Sequence, residues 1–121
     1  MMQPYPIILA SNSPRRKQLL EMIGISFTVQ PSAIYEDFSI DLKPGEFVMH
    51  YAKEKSLYIA NSHQDQLVIG ADTIVVFNQK ILGKPSNEEE SFKMLKSLSG
   101  QTHTVYTGVS LNHVKAEIND T

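Results

Sequence analysis

LVIGADTIVVF, residues 67–77, is the most strongly β-forming stretch of this chain and decides its fold. Apolar and β-branched residues follow one another almost without a break, whereas a strand with one wet face alternates apolar and polar residues. We therefore expect a central strand that is covered on both faces. Gly70 and Ala71 leave room beside Asp72, as the close approach of a ligand to the backbone requires.

The segments around this strand alternate between strand and helix patterns. A serine N-cap and a proline open the first helix, and Ser86 with Glu89 forms a capping box for the last. The chain stops at KAEINDT, just after a predicted strand, and we expect neither a helix nor a return strand there to finish the layer. The alternation of strand and helix patterns along the chain is typical of an α/β fold. We expect strands at residues 6–10, 26–30 and 104–111 and helices at residues 14–23, 45–61 and 86–98.

The composition bounds the class of protein. With 121 residues, 41% hydrophobic and 20% charged, the chain suits one globular domain. Its net charge of -2 gives no basic surface for nonspecific binding to nucleic acid or an anionic membrane. Zero cysteines exclude disulfides and thiolate metal sites. No basic leader and no run of about 20 apolar residues is present, so we expect a cytoplasmic protein.

Two arginines stand at an unfavourable place in LASNSPRR, residues 9–16. Ser13 caps the predicted helix, so Arg15 and Arg16 lie in its first turn. That turn carries unpaired N–H groups and the positive end of the helix dipole, where an exposed cation costs roughly 0.3–1 kcal/mol. The pattern indicates an anion site for a polyphosphate. The alternative is that the arginines pair with an acidic loop.

Asp72 lies in the middle of the apolar strand at residues 67–77. An unpaired carboxylate there carries a desolvation cost of several kcal/mol, so it needs a partner. A metal ion, an arginine or a lysine can supply that partner, and Thr73 adds a hydroxyl. The alternative is a satisfied core aspartate or a residue at the end of the strand.

Three further charged residues complete the candidate site. Lys55 lies four residues after Tyr51, on the apolar side of its helix, where a lysine either enters a cleft or extends to water. Lys84 follows a strand in a loop, and Glu36 lies in a polar loop; both are also explained by solvation. Together with Asp72 these residues suggest a cleft that binds phosphates and, through two carboxylates, Mg²⁺.

Six blocks of the sequence resemble the Maf proteins in order and spacing: LASNSPRRKQLL, Glu36, AKEKS, IGADTIV, ILGKP and LSGQTHTVYTGV. These proteins are nucleoside triphosphate pyrophosphatases with an inosine-triphosphatase-like α/β fold, a mixed twisted sheet flanked by helices. The resemblance implies that Asp72 accepts a proton and that Glu36 joins it at a divalent metal, Mg²⁺ or Mn²⁺. It implies substrate binding by Ser13, Arg15, Arg16, Lys55, Thr73 and Lys84.

The resemblance also extends to the substrate. SPRR with GADT is similar to the branch acting on dTTP and UTP, whereas a relative acting on 7-methyl-GTP has tryptophan and glutamine at the positions of Arg15 and Thr73. Hydrolysis between the α and β phosphates is therefore expected. Residues 1–121 are expected to be the N-terminal two-thirds or so of one Maf-like domain, able to form a homodimer. A regulator of cell division that binds nucleotide or nucleic acid without chemistry, or an inactive fragment, is the alternative.

Overall fold

The computed structural model describes residues 5–77, 80–82 and 103–121, which form one six-stranded mixed sheet and two helices. Within these residues, no helix has the length and apolar character needed to cross a membrane. The α/β class and the mixed sheet expected from the sequence are confirmed. In chain order the elements are β1 (Ile7–Leu9), α1 (Pro14–Met22), β2 (Thr28–Val29), α2 (Pro44–Ala60), β3 (Leu67–Phe77), β4 (Lys80–Leu82), β5 (Thr104–His113) and β6 (Ile118–Asp120).

β3 is the centre of the sheet, as its sequence predicts. The strand order is β2-β1-β3-β5-β6, with β4 also paired to β3. β1 runs parallel to β2 and to β3, whereas β5 runs antiparallel to β3 and β6 antiparallel to β5. The long β3–β5 ladder places Asp72 opposite Gly108 and Thr73 opposite Thr107. The candidate residues of β3 therefore lie in the middle of the sheet.

α2 covers one face of this sheet very closely. Val68 and Ile74 on that face are 0% and 3% exposed. A Cβ atom on Gly70 would lie 2.4 Å from the carbonyl oxygen of Ala52, so only glycine allows the helix this close. The space beside Gly70 is thus filled by α2, and the expectation that it serves the approach of a ligand is wrong.

The opposite face of the sheet is more open. Ile69 on β3 is half-buried, and Val105 and Val109 on β5 are 55% and 49% exposed. α1 lies on this side and buries none of its own residues; its Leu19 is 50% exposed. The sequence predicts that β3 is covered on both faces. Within the described residues, only the face toward α2 is fully covered.

The end of the chain differs from the prediction. Residues 114–117 form a turn, and β6 (Ile118–Asp120) returns antiparallel to β5, so the expectation that no return strand follows is wrong. The turn lacks glycine and asparagine, and Glu117 adopts a left-handed φ of 57°. Because that conformation is rare for glutamate, the sequence carries no hairpin signal. The helix predicted at residues 86–98 lies outside the described residues.

Candidate active site

The start of α1 forms as the sequence predicts. Ser13 is the N-cap, and its Oγ accepts a hydrogen bond of 3.3 Å from the backbone N–H of Arg16. Pro14 occupies the first helical position, and Gly24 follows the helix with a φ of 78°. Ser11 supports the turn, since its Oγ accepts from the backbone N–H of Ser13 at 3.1 Å. The loop between β1 and α1 is therefore fixed by its own hydroxyl groups.

The two arginines have different surroundings. Nη1 of Arg16 donates to Ser11 Oγ at 3.1 Å and to the carbonyl oxygen of Ala71 at 3.4 Å. Nη2 of Arg16 donates to Thr73 Oγ1 at 2.8 Å. Arg16 is thus anchored by neutral oxygens of its own loop and of β3, whereas Arg15 is exposed. These bonds do not pair Arg16 with an acidic loop, the alternative left open by the sequence.

Lys55 joins the two candidate carboxylates. Its Nζ lies 3.1 Å from Glu36 Oε1 and 3.0 Å from Asp72 Oδ1, and it also donates to the Ala71 carbonyl oxygen at 3.4 Å. The side chains of Lys55, Glu36 and Asp72 are only 13%, 10% and 2% exposed. Lysine is thus the partner that a buried Asp72 requires. The alternative that Lys55 extends to water is therefore wrong. Tyr58, also predicted on the apolar side of this helix, is the residue that is exposed.

The surroundings of Asp72 raise its pKa. Burial and, after it, the adjacent Glu36 carboxyl group together raise the pKa of Asp72 to about 6, against the lowering effect of Lys55. One ammonium group cannot fully compensate two adjacent carboxylates, so the pair favours holding a proton. Within the described residues, Asp72 Oδ2 is buried without a hydrogen-bond partner. An acceptor atom is therefore available at the site.

The loop that carries Glu36 packs against α2 and is hydrogen-bonded to it. The buried phenol oxygen of Tyr51 accepts a hydrogen bond of 2.7 Å from the backbone N–H of Asp37. Ile34 and Ile40, on either side of Glu36, pack against the buried cluster that includes Phe47 and Tyr51. A carboxylate in a polar loop is usually exposed. Here the packing of the apolar residues around Glu36 places its side chain in the protein interior.

These elements enclose a cleft of about 300 Å³. Four predicted residues line it together, namely Ser13, Arg16, Glu36 and Lys55. Asp72 joins them through Lys55 and Thr73 through Arg16. Arg15 is exposed on the first turn of α1, and Lys84 lies outside the described residues. The other lining residues are Ala10, Ser11, Asn12, Ser32 and Ile34.

Ser11 is a site residue that the sequence reasoning missed. It is 9% exposed and accepts hydrogen bonds from both Ser13 and Arg16. The signal for it was its position two residues before the N-cap, where a hydroxyl can satisfy backbone N–H groups ahead of the helix. Ser32 also lines the cleft, and no local pattern distinguishes it within its polar loop.

Glu36 and Asp72 carry the type of ligand atom, a carboxylate oxygen, that a divalent cation such as Mg²⁺ prefers. Among residues 5–77, 80–82 and 103–121 no cluster of three or more histidine, cysteine or acidic residues is suited to a metal ion. Mg²⁺ does not require one, because it is commonly held by one or two carboxylates with phosphate oxygens and water. Glu36 and Asp72 supply that number, and Asp72 Oδ2 is an unused oxygen within the described part.

Comparison with known proteins gives one consistent result. The family model described as "Maf-like protein" matches residues 6–121. A dTTP/UTP pyrophosphatase of Bacillus mycoides is 50% identical over 105 residues, covering 87% of this chain and 55% of the relative. One of Halalkalibacterium halodurans is 51% identical over 108 residues, covering 89% and 57%. The chain therefore spans little more than half the length of the curated relatives it matches.

Proposed function

The chain belongs to the Maf family, and we propose that its cleft hydrolyses dTTP or UTP to the monophosphate and pyrophosphate. The observation that carries the proposal is the buried Asp72 carboxyl beside Lys55 and Glu36, next to the helix start that bears two arginines. A protein that only binds phosphate has no use for a carboxylate beside the phosphates unless a metal ion lies between them. The pyrimidine preference is supported by relatives named dTTP/UTP pyrophosphatase.

Binding of the triphosphate is assigned to the start of α1 and its cations. Free N–H groups in the first turn and the helix dipole favour an anion, and no acidic residue of that turn opposes it. Arg15 is exposed there and suits a forked contact with phosphate oxygens. Ser13, Arg16 and Lys55 line the same cleft. Lys84 and Thr73 complete the proposed binding set by resemblance.

Asp72 is proposed as the group that orients the attacking water and takes its proton. An aspartate with an ordinary pKa near 4 is a weak base at neutral pH. The pKa of Asp72, raised by burial to about 6, brings it closer to the operating pH while leaving it mostly ionised at pH 7.5. Lys55 holds Asp72 Oδ1, which leaves Oδ2 for the water. Attack at the α phosphorus breaks its bond to the bridging oxygen, and pyrophosphate leaves.

A divalent cation is part of the proposal. Glu36 and Asp72 are the residues that would hold Mg²⁺ or Mn²⁺, because two carboxylates with phosphate oxygens and water make a sufficient set of ligands. When bound, the ion neutralises charge that builds up on the phosphate oxygens. Lys55 compensates part of the charge of the same carboxylates in its absence, since it lies within 3.1 Å of both.

The proposal is tested with the 121-residue chain itself. The chain is incubated with a panel of nucleoside triphosphates and Mg²⁺ or Mn²⁺, and monophosphate and pyrophosphate are measured. We expect release from dTTP and UTP, and loss of most turnover in Asp72→Asn with measurable substrate binding retained. Asp65→Asn is the matched control, because Asp65 is an exposed aspartate at which the same change should leave turnover intact.

Two results contradict the proposal. Unchanged turnover in Asp72→Asn removes Asp72 from the chemistry, and no release from a wild-type chain shown by circular dichroism to be folded removes the activity from this chain. Binding of dTTP without release would favour the nucleotide-binding regulator. A cytoplasmic setting suits a chain without cysteine. Dimerisation and a link to septum formation stay predictions.

A further inference from the structure

A chain of three side chains connects α1 to β5 across the central strand. Arg16 Nη2 donates to Thr73 Oγ1 at 2.8 Å, and Thr73 Oγ1 lies 3.1 Å from Thr107 Oγ1. We propose that Thr107 is a positioning residue, which acts through Thr73 to hold the Arg16 guanidinium at the cleft. The proposal rests on the proposed function, since it concerns how the triphosphate site is prepared before substrate arrives.

The direction of the hydrogen bonds gives Thr107 this role. A guanidinium group donates only, so the Thr73 hydroxyl must accept from Arg16. A hydroxyl that accepts from a cation becomes a stronger donor, so both bonds strengthen when Thr73 donates its proton to Thr107. The oxygen of Thr107 thereby fixes the rotation of the Thr73 hydroxyl and aims its lone pair at Arg16. Register supports the arrangement, because Thr73 and Thr107 are direct partners in the β3–β5 ladder.

The consequence for Arg16 is a guanidinium held along two edges. Nη1 is fixed by Ser11 Oγ and the Ala71 carbonyl oxygen, and Nη2 by Thr73. Of the five N–H donors of arginine, two then remain without a partner inside the described part of the chain. Because Arg16 also lines the cleft, these donors are available to phosphate. Fixing the group beforehand removes the entropy cost of ordering a long side chain on binding.

The first test requires no substrate. Rotation of the Arg16 guanidinium is measured by ¹⁵N NMR of its Nε and Nη groups in the wild type, Thr107→Val and Thr107→Ser. Valine keeps the shape and the strand preference of threonine but removes the hydroxyl, whereas serine retains it. We expect rotation to be about tenfold faster in Thr107→Val, which corresponds to about 1.4 kcal/mol, and near wild type in Thr107→Ser. Thr104→Val, the same change at the start of β5, is the control and should have no effect.

The second test links Thr107 to binding. The dissociation constant of an α,β-methylene analogue of dTTP is measured by calorimetry for Thr107→Val, Arg16→Ala and the double variant. We expect a five- to tenfold weakening in Thr107→Val and no further weakening when that change is added to Arg16→Ala. Additive losses would show that Thr107 does not act through Arg16, and unchanged guanidinium rotation in Thr107→Val overturns the proposal outright. If the wild type binds no analogue, the proposed function fails, and the NMR result alone decides the positioning role.

Discussion

Replacing Gly70 by alanine tests how closely α2 lies on the sheet. A Cβ at this position would lie 2.4 Å from the carbonyl oxygen of Ala52 and 2.7 Å from the backbone nitrogen of Ser56. Both atoms belong to the helix backbone, so no rotation of a side chain relieves the overlap. The helix must move away from β3 as a body.

The expected loss follows from these distances. Ordinary contacts of a Cβ begin near 3.4 Å, so α2 has to shift by roughly 1 Å at Ala52 to accept the methyl group. Overpacking of this kind costs about 1–3 kcal/mol. At roughly 4 °C per kcal/mol for a chain of this size, Gly70→Ala should melt about 4–12 °C below the wild type.

Thermal unfolding followed by circular dichroism measures this loss, and Gly45→Ala provides the control. Gly45 is in the first turn of α2, and a Cβ added there would meet nothing within 4 Å, so alanine should be neutral or stabilising by about 0.4–1 kcal/mol. Pyrophosphate release from Gly70→Ala, measured below its melting temperature, should also fall because Lys55 moves with the helix. A melting temperature equal to that of the wild type would refute the reasoning.

Three other predictions concern charged side chains. Lys55→Met leaves Glu36 and Asp72 next to each other without a cation. We expect the free energy of unfolding in urea to fall by roughly 3–5 kcal/mol at pH 8, and by less at pH 5, where a carboxylate takes up a proton. A loss independent of pH would contradict this. Since burial raises the pKa of Asp72 to about 6, the folded state holds an extra proton between about pH 4 and 6, and its stability falls as pH rises through that window. In EDTA this fall should be roughly 1–3 kcal/mol steeper in the wild type than in Asp72→Asn, and parallel pH profiles would exclude it. Lys115→Ala should leave the urea midpoint unchanged, because its 2.7 Å pair with Asp65 is exposed to water, and a shifted midpoint would show an unrecognised role.

The parts of the fold that local patterns control were predictable. Ser13 and Pro14 specify a helix start through their own hydroxyl and ring, and Gly24 ends the helix because it accepts a positive φ. The apolar run at residues 67–77 became β3 with the same bounds. Asp72 was identifiable because a carboxylate inside such a run has to have a partner, and the structure supplies Lys55.

The parts that depend on distant contacts were not predictable from one sequence. Arg16 and Thr73 are 57 residues apart, and no spacing rule connects a helix start to the side chain it will meet on a strand. The same holds for Tyr51, whose phenol oxygen fastens the backbone of Asp37. Polar loop residues carry no periodicity, so the inward position of Glu36 depends on which apolar neighbours the fold offers it.

The geometry of the candidate site depends on the absence of a side chain at Gly70. Gly70 and Asp72 lie on the same face of β3, and the helix that meets this face is in contact at Ala52 and Ser56. The backbone nitrogen of Ser56 is bonded to the carbonyl carbon of Lys55, so the close approach at Ser56 also brings the Lys55 backbone near the strand. That approach lets Nζ reach Asp72 Oδ1 at 3.0 Å while the side chain stays 13% exposed. A bulkier residue at position 70 would push the helix away from the strand and lengthen this ion pair. An ion pair in a low-dielectric site weakens as its length grows, so activity should respond to Gly70 although that residue has no functional group.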